Sequence, residues 1–557
     1  MQLKSTMRHN FADISDSNVP RSLFNLSRTR KGTFDPDYIY PFFVQEVIPG
    51  DNFTISHAFY SRLNTPLLPY MDNMYITMDY FYVPNRIVWE NWEKFWGFQE
   101  NPGDSISFVT PKIPMAASAP TPPATDFWQP LQLGDYLGLV PQGVTVTGPS
   151  AANPAVPATA ALVGVDTVHN FLGRMYNMIW NYYYRDENLQ DSIPFDKDNG
   201  PDDPADYILR KRNNPKDYFM SLLPDPQKFT APTISLGTSA PVVITSTSPV
   251  PNQIVRDVTT GTNIGPGWTG ILTGAGGVLQ NAGGPNNVYI DPNGAYEADL
   301  SAATGITPSA FREIFALQQY LELNMRGGTR YNELVRSEYG VFIPDSRLQW
   351  PEMLMRSTSR VHVTPVAQTS EEGTTPQGNL AAFGTVYNQK SFSKAFVEHG
   401  YIIGLLNAHA DLTYQQGNDR HFYRDTRYDF HHPLFEGIGE QAVLNQEMYV
   451  IGQGASFDPT ADTNVLGYGE RYSEYKFGKS EVVGQMRSTF SPSLDPWHLA
   501  IEYAAQPVLG PEMIEQAMPI DRIVAVTSEP AFTFDAAIDV KAARFIKTHS
   551  NPGLRRM

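Results

Sequence analysis

No cysteine occurs among the 557 residues, which excludes disulfides, thiolate zinc sites and cysteine nucleophiles and leaves stability to packing and assembly. No run of about eighteen apolar residues is present, nor a basic-then-apolar leader with a small-residue cleavage site, so neither membrane insertion nor ordinary secretion is expected. The expectation is a chain made and kept soluble in a cytoplasm. Positive charge is also short: 41 Lys and Arg stand against 58 Asp and Glu, a net charge of −17. That balance argues against a protein coated in nucleic acid.

Sites of chemistry are missing as well. "YKFGKS" ends like a phosphate-binding loop, but the glycine required five positions earlier is Ser473. His399, His409, His421, His431 and His432 show no spacing that aims two imidazoles at one zinc, and satisfied structural or interface histidines are the better reading. In "DKDNGPDD" Asp196, Asp198 and Gly200 alternate as a calcium loop would, yet position twelve is Tyr207 rather than a bidentate acid. Asp196 and Asp198 remain a weak candidate ion site beside the plainer reading of a solvated acidic turn. No catalytic residues, cofactor or enzyme activity are expected.

What is plentiful is glycine (42), proline (45) and aromatic residues (31 Phe, 29 Tyr, 8 Trp). The first two suit many strands joined by irregular connections, hence a mainly β protein, and the aromatics suit subunit interfaces or sugar clefts alike. "FFVQEVIPGDNFTISHAFYSR" and "NMYITMDYFYVP" alternate apolar and polar residues, placing Phe53, Ile55 and Phe59, then Ile76, Met78, Tyr80 and Tyr82, on half-buried strands. Similar runs return late as "AFVEHGYIIGLL", "DRIVAVTS" and "FTFDAAIDVKAARF", so N-terminal and C-terminal strands should share a sheet.

Two helices are expected. One runs from Val168 through Phe171, Leu172, Met175 and Ile179 and ends in a tyrosine run. The other starts with Thr307 as N-cap and Pro308 at the first helical position, carries Phe311, Ile314, Phe315, Leu317 and Leu321 facing inward, and stops at Gly327. Residues 111–163, rich in Pro, Ala and Thr, and residues 226–306, rich in Gly, Thr, Ser, Pro and Asn, should be surface excursions that supply little core.

The ends depart from the acidic average. Residues 1–35 form a basic arm with Lys4, Arg8, Arg28, Arg30 and Lys31, and residues 541–557 a basic tail with Lys547, Arg555 and Arg556. An acidic body with basic ends suggests one surface meeting a polyanion, solvated tails being the plain alternative.

"YNMIWNYYYRDENLQD", "RGGTRYNELVRSEYGVFIPDSRLQWPE" and "GYGERYSEYKFGKSEVVGQMRS" with the following "LDPWHL" resemble signature stretches of the major capsid proteins of the Microviridae, gokushovirus branch. So do the N-terminal "HNFADISDSNVPRSLFNLSRTRKGTFDPDYIYP" and the terminal "NPGLRRM". The resemblance covers nearly the whole chain. It implies a single eight-stranded antiparallel jelly roll over residues 36–557 with long inserted loops. Sixty copies of such a chain would close a T=1 shell around a circular single-stranded DNA genome, a virion component assembled in the host bacterial cytoplasm. A small basic DNA-packaging protein, an internal scaffolding protein and a pilot protein are implied partners. Residues 226–306 match in position an insertion that forms a three-fold protrusion and would meet a bacterial surface receptor. In this setting Trp180, Tyr182, Tyr183, Tyr184, Arg185, Asp186 and Glu187 are expected at a subunit contact, with intrasubunit core as the alternative, and the named basic residues are expected to face DNA. A carbohydrate-binding jelly roll is the rival reading.

Overall fold

The computed structural model describes residues 21–114, 127–139, 167–232, 308–328, 330–340, 349–370, 373, 377–451 and 459–549, with six short strands inside 242–298. The chain divides into two compact units, Met1–Pro226 with Arg326–Met557, and Gln227–Met325.

In the first unit ten strands make two antiparallel sheets. They are β1 (Ser22–Asn25), β2 (Arg28–Phe34), β3 (Tyr40–Val47), β4 (Asn52–Leu63), β5 (Met74–Pro84), β6 (Glu352–Arg360), β7 (His362–Ala367), β8 (Leu380–Ala395), β9 (Gly400–Ala410) and β10 (Phe532–Arg544). One sheet is ordered β10-β4-β8-β7, with β1 and β2 successive along the free edge of β10; the other is ordered β6-β5-β9-β3. Setting β1 and β7 aside, strands 2-10-4-8 face strands 3-9-5-6, and the chain passes between the sheets as a jelly roll winds. The expected eight strands are present, with β1 and β7 added at the edges. N-terminal and C-terminal segments do share a sheet, since β10 pairs with β1, β2 and β4.

The alternation in β4 sends Phe53, Ile55 and Phe59 fully into the space between the sheets. Phe42 of β3 meets Phe59 edge-on at 6.4 Å and Tyr80 of β5 at 5.4 Å, tying both layers together. Each such ring stabilises the fold by roughly 2 kcal/mol relative to exposure. β5 differs from the half-buried strand expected, because Thr77, Asp79, Phe81 and Val83 on its other face are buried too. Their cover is the segment that follows helix α1 (Phe171–Ile179).

Two other expectations change. "DRIVAVTS" is not a strand: Ile520–Arg522 turns as a 3-10 helix, and Val524 makes only an isolated bridge to Pro66 while plugging the core. Residues 111–163 supply more core than expected, for Ile113, Phe127, Trp128 and Leu133 within the tract, few but large, are buried in the main cluster. The remainder of that tract lies outside the described residues. A second core, unforeseen, joins Phe219, Met220, Tyr414, Val443, Leu466 and Ile514 around the two-stranded sheet Glu440–Leu444 with Val465–Glu470.

In the second unit six short strands pair as nested hairpins: Val242–Ile244 with Tyr296–Ala298, Val255–Asp257 with Val288–Ile290, and Ile271–Thr273 with Leu279–Asn281. Helix α2 (Pro308–Gly327) follows. Its apolar residues run nearly all round the helix rather than in one stripe, so Phe311, Phe315 and Leu317 are exposed, contrary to expectation, and only Ile314 and Leu321 are half-buried. The proposed N-cap Thr307 lies outside the described residues.

Candidate functional site: an aromatic and ionic joint

The tyrosine run ends α1 in an unusual way. Trp180–Tyr184 forms a π-helical turn, one residue wider than an α-turn, and this aims Tyr183 and Tyr184 back onto β5. Tyr183 packs on Phe81 at 4.8 Å and donates its hydroxyl to the Pro351 carbonyl at 2.6 Å. Tyr184 donates to Asp79 Oδ2, also at 2.6 Å. Asp79 sits directly opposite Arg356 in the β5–β6 register and accepts its Nε at 2.7 Å and Nη2 at 2.9 Å, a two-pronged ion pair. The Asp79 hydrogen bonds raise the Arg356 pKa, while burial and then the Asp79 charge raise that of Tyr184. Nearby His409, stacked on Tyr75, is pushed down to about 3, first by burial and then by the charges of Arg212 and Arg356.

The residues after the run are held within the same chain. Arg185 donates to the Gln190 carbonyl at 2.9 Å, and Asp186 pairs with Lys216 while accepting the Asn188 and Leu189 amides. Glu187 pairs with Arg330, which stands at the N-cap position of helix α3 (Tyr331–Tyr339), contacts Glu333 at 3.1 Å and donates to the Asn181 carbonyl at 2.8 Å. Burial first, then the hydrogen bond and charge of Glu187, raises the Glu333 pKa. Trp180 is nearly buried and donates its indole N–H to the Lys211 carbonyl at 2.9 Å, and Tyr182 packs against the main core. All seven residues expected at a subunit contact thus have partners or packing in their own chain.

The acidic turn is organised around an internal cation. Arg174 of α1, 0% exposed, binds Asp202 through Nε at 2.8 Å and Nη2 at 2.5 Å, and reaches Asp198 Oδ1 at 3.3 Å and the Val88 and Asp198 carbonyls at 3.2 and 2.9 Å. Asp202 also accepts from Asn170 at 2.6 Å. The guanidinium thus engages one side-chain oxygen of Asp198, whose side chain otherwise stays 64% exposed, and Asp196 is exposed as well. Among the described residues no group of three or more His, Asp or Glu side chains could hold a metal.

The basic residues divide. Arg28 lies over the Phe43 ring at 4.8 Å and donates to the Val44 carbonyl, and Arg30 donates to the Tyr136 carbonyl at 2.5 Å, with burial lowering both pKa values. Their edge position on β2 turns them toward the neighbouring elements, which sequence spacing could not reveal. Lys31 keeps 73% of its side chain in solvent beside Asp535 at 2.6 Å, and Lys547 is exposed. Lys4, Arg8, Arg555 and Arg556 lie outside the described residues. The histidines are occupied structurally where the described contacts show them; His399, for instance, stacks on Trp96 at 4.6 Å.

A family model described as "Capsid protein (F protein)" matches residues 12–554. The chain is similar to a protein named "Capsid protein VP1" of Bdellovibrio phage phiMH2K, 40% identical over 531 residues that cover 93% of this chain and 92% of the relative. It is also 35% identical to the "Capsid protein VP1" of Chlamydia phage 1 over 620 residues, covering 100% of this chain and 99% of that one. The "Capsid protein VP1" of Spiroplasma virus 4 is 33% identical over 584 residues, 99% of this chain and 98% of the relative.

Proposed function

The chain belongs to the F-type capsid protein family of small phages, and from that premise we propose that sixty copies close a T=1 icosahedral shell around a circular single-stranded DNA genome. The observation that carries the reading is the jelly-roll winding of strands 2-10-4-8 over 3-9-5-6 in a chain matched to the capsid family over residues 12–554. The protein is a structural component of the virion and not an enzyme.

Within the proposal, Lys31, Lys547 and the basic terminal residues Lys4, Arg8, Arg555 and Arg556 neutralise DNA phosphates without reading sequence. Arg28 and Arg30 contribute positive potential, each drawn toward a carbonyl of its own chain, Val44 and Tyr136 respectively. A packaging protein, a scaffolding protein and a pilot protein complete the particle. The insertion of residues 226–306 meets the bacterial surface, supported by all of it after Pro226 falling in a compact unit distinct from that of the sandwich, Gln227–Met325.

The test is expression of the chain with its neighbouring viral genes, followed by sedimentation and electron microscopy. Closed particles containing DNA are expected. A persistent monomer retained by a sugar column would overturn the reading in favour of a lectin.

A further inference from the structure

Beside the aromatic joint lies a cavity of about 460 Å3 whose walls carry six cations, Arg185, Arg212, Lys216, Arg326, Arg330 and Arg356. Its acids are Asp186, Glu187 and Glu333, with Asp79 behind Arg356 and Glu440 behind Arg326. Six positive charges therefore meet five negative ones, and the pairing is uneven. Glu187 and Glu333 converge on the single guanidinium of Arg330. Among the described residues, neither Arg185 nor Arg212 makes a direct ion pair; the first donates to the Gln190 carbonyl, and the second donates to Asn407 Oδ1 at 2.7 Å and feels the Asp79 charge only at longer range, a charge already gripped by Arg356.

A guanidinium offers five N–H donors in a planar fork, and each of these two uses few of them. Both side chains are half-buried, where a cation without a directly bonded anion is unfavourable. The cavity volume lies within the range that holds a small ligand of nucleotide size or less. The neighbouring Tyr183 ring and the Asn188 and Asn213 amides add an aromatic wall and neutral hydrogen-bonding groups. We propose that this cavity binds a phosphoryl oxyanion, gripped by the forks of Arg185 and Arg212 with Lys216 at its side. The same chemistry is carried by a phosphodiester of single-stranded DNA and by free phosphate. That the phosphate belongs to DNA rests on the capsid reading; that an oxyanion binds here does not.

The experiment titrates the full-length chain with inorganic phosphate, with chloride as control, and separately with a short oligothymidylate. Arg185→Gln and the more exposed change Lys216→Gln are compared with the parent by calorimetry, with circular dichroism to check folding. Phosphate is expected to saturate the parent, to bind about tenfold more weakly to Arg185→Gln, and to bind several-fold more weakly to Lys216→Gln. Phosphate no better than chloride, or parental affinity in both variants, overturns the proposal. Loss of oligothymidylate together with phosphate identifies nucleic acid as the source; loss of phosphate alone identifies the free ion. Shell formation is scored separately, so absent shells with intact phosphate binding would count against the capsid reading and leave this site standing.

Discussion

At the scale of single residues the most consequential group is Arg174. Its guanidinium and Asp202 are both removed from water, so neither tolerates losing the other. Arg174→Met should destabilise the chain by about 3–5 kcal/mol, read as a lower urea midpoint, whereas replacing both partners with apolar residues should recover part of the loss. Asp37 offers a titration test. Burial pushes its carboxyl up to about 6, against the opposing hydrogen bonds from the Met518 amide and the Gln516 side chain. Because the folded state holds that proton more tightly than the unfolded chain, the contribution is full below pH of about 4 and is lost as pH climbs through 6. Asp37→Asn keeps an acceptor and tolerates the backbone φ of 84°, so it should flatten the stability profile across that window in urea titrations at successive pH values. None of these partnerships was legible in the sequence. Arg174 and Asp202 are 28 residues apart, and their meeting depends on how α1 packs against the turn. The charges after the tyrosine run were visible as a group, but their partners Lys216 and Arg330 are supplied by other parts of the fold.

At the scale of elements, strands whose alternation matches one buried face were readable, as β4 and β10 demonstrate. β5 misled because a helix-borne aromatic segment covers its second face, and α2 misled because an apolar helix face is buried only where something covers it. The π-turn was unreadable, since its one-residue widening leaves the local composition of a helix end unchanged. β9 lies between β3 and β5 and admits little variation. A Cβ added at Gly400 would stand 2.4 Å from the Val83 carbonyl oxygen and 2.7 Å from the Tyr82 ring, while one at Gly437 would meet nothing within 4 Å. Gly400→Ala should therefore cost about 1–3 kcal/mol in denaturant unfolding, and Gly437→Ala should leave the midpoint unchanged.

At the scale of the molecule, fold class was legible because Gly, Pro and aromatic abundance with alternating runs leaves few alternatives, and the family stretches span both ends of the chain. The separation into two compact units predicts a division of labour. Deleting residues about 235 to 300 should leave particles able to assemble, as seen by sedimentation, while abolishing adsorption to host cells; retained adsorption would reject the attachment role. The position of β10 also imposes a timetable. This strand joins β1 and β2 to β4, yet a ribosome delivers it after every other strand of the sandwich. Until it emerges, β4 has one open edge and β2 has no neighbour in its sheet, so an unfinished chain offers ready templates for other chains to join. Translation abandoned before that strand would therefore yield a sticky fragment rather than a smaller version of the same subunit.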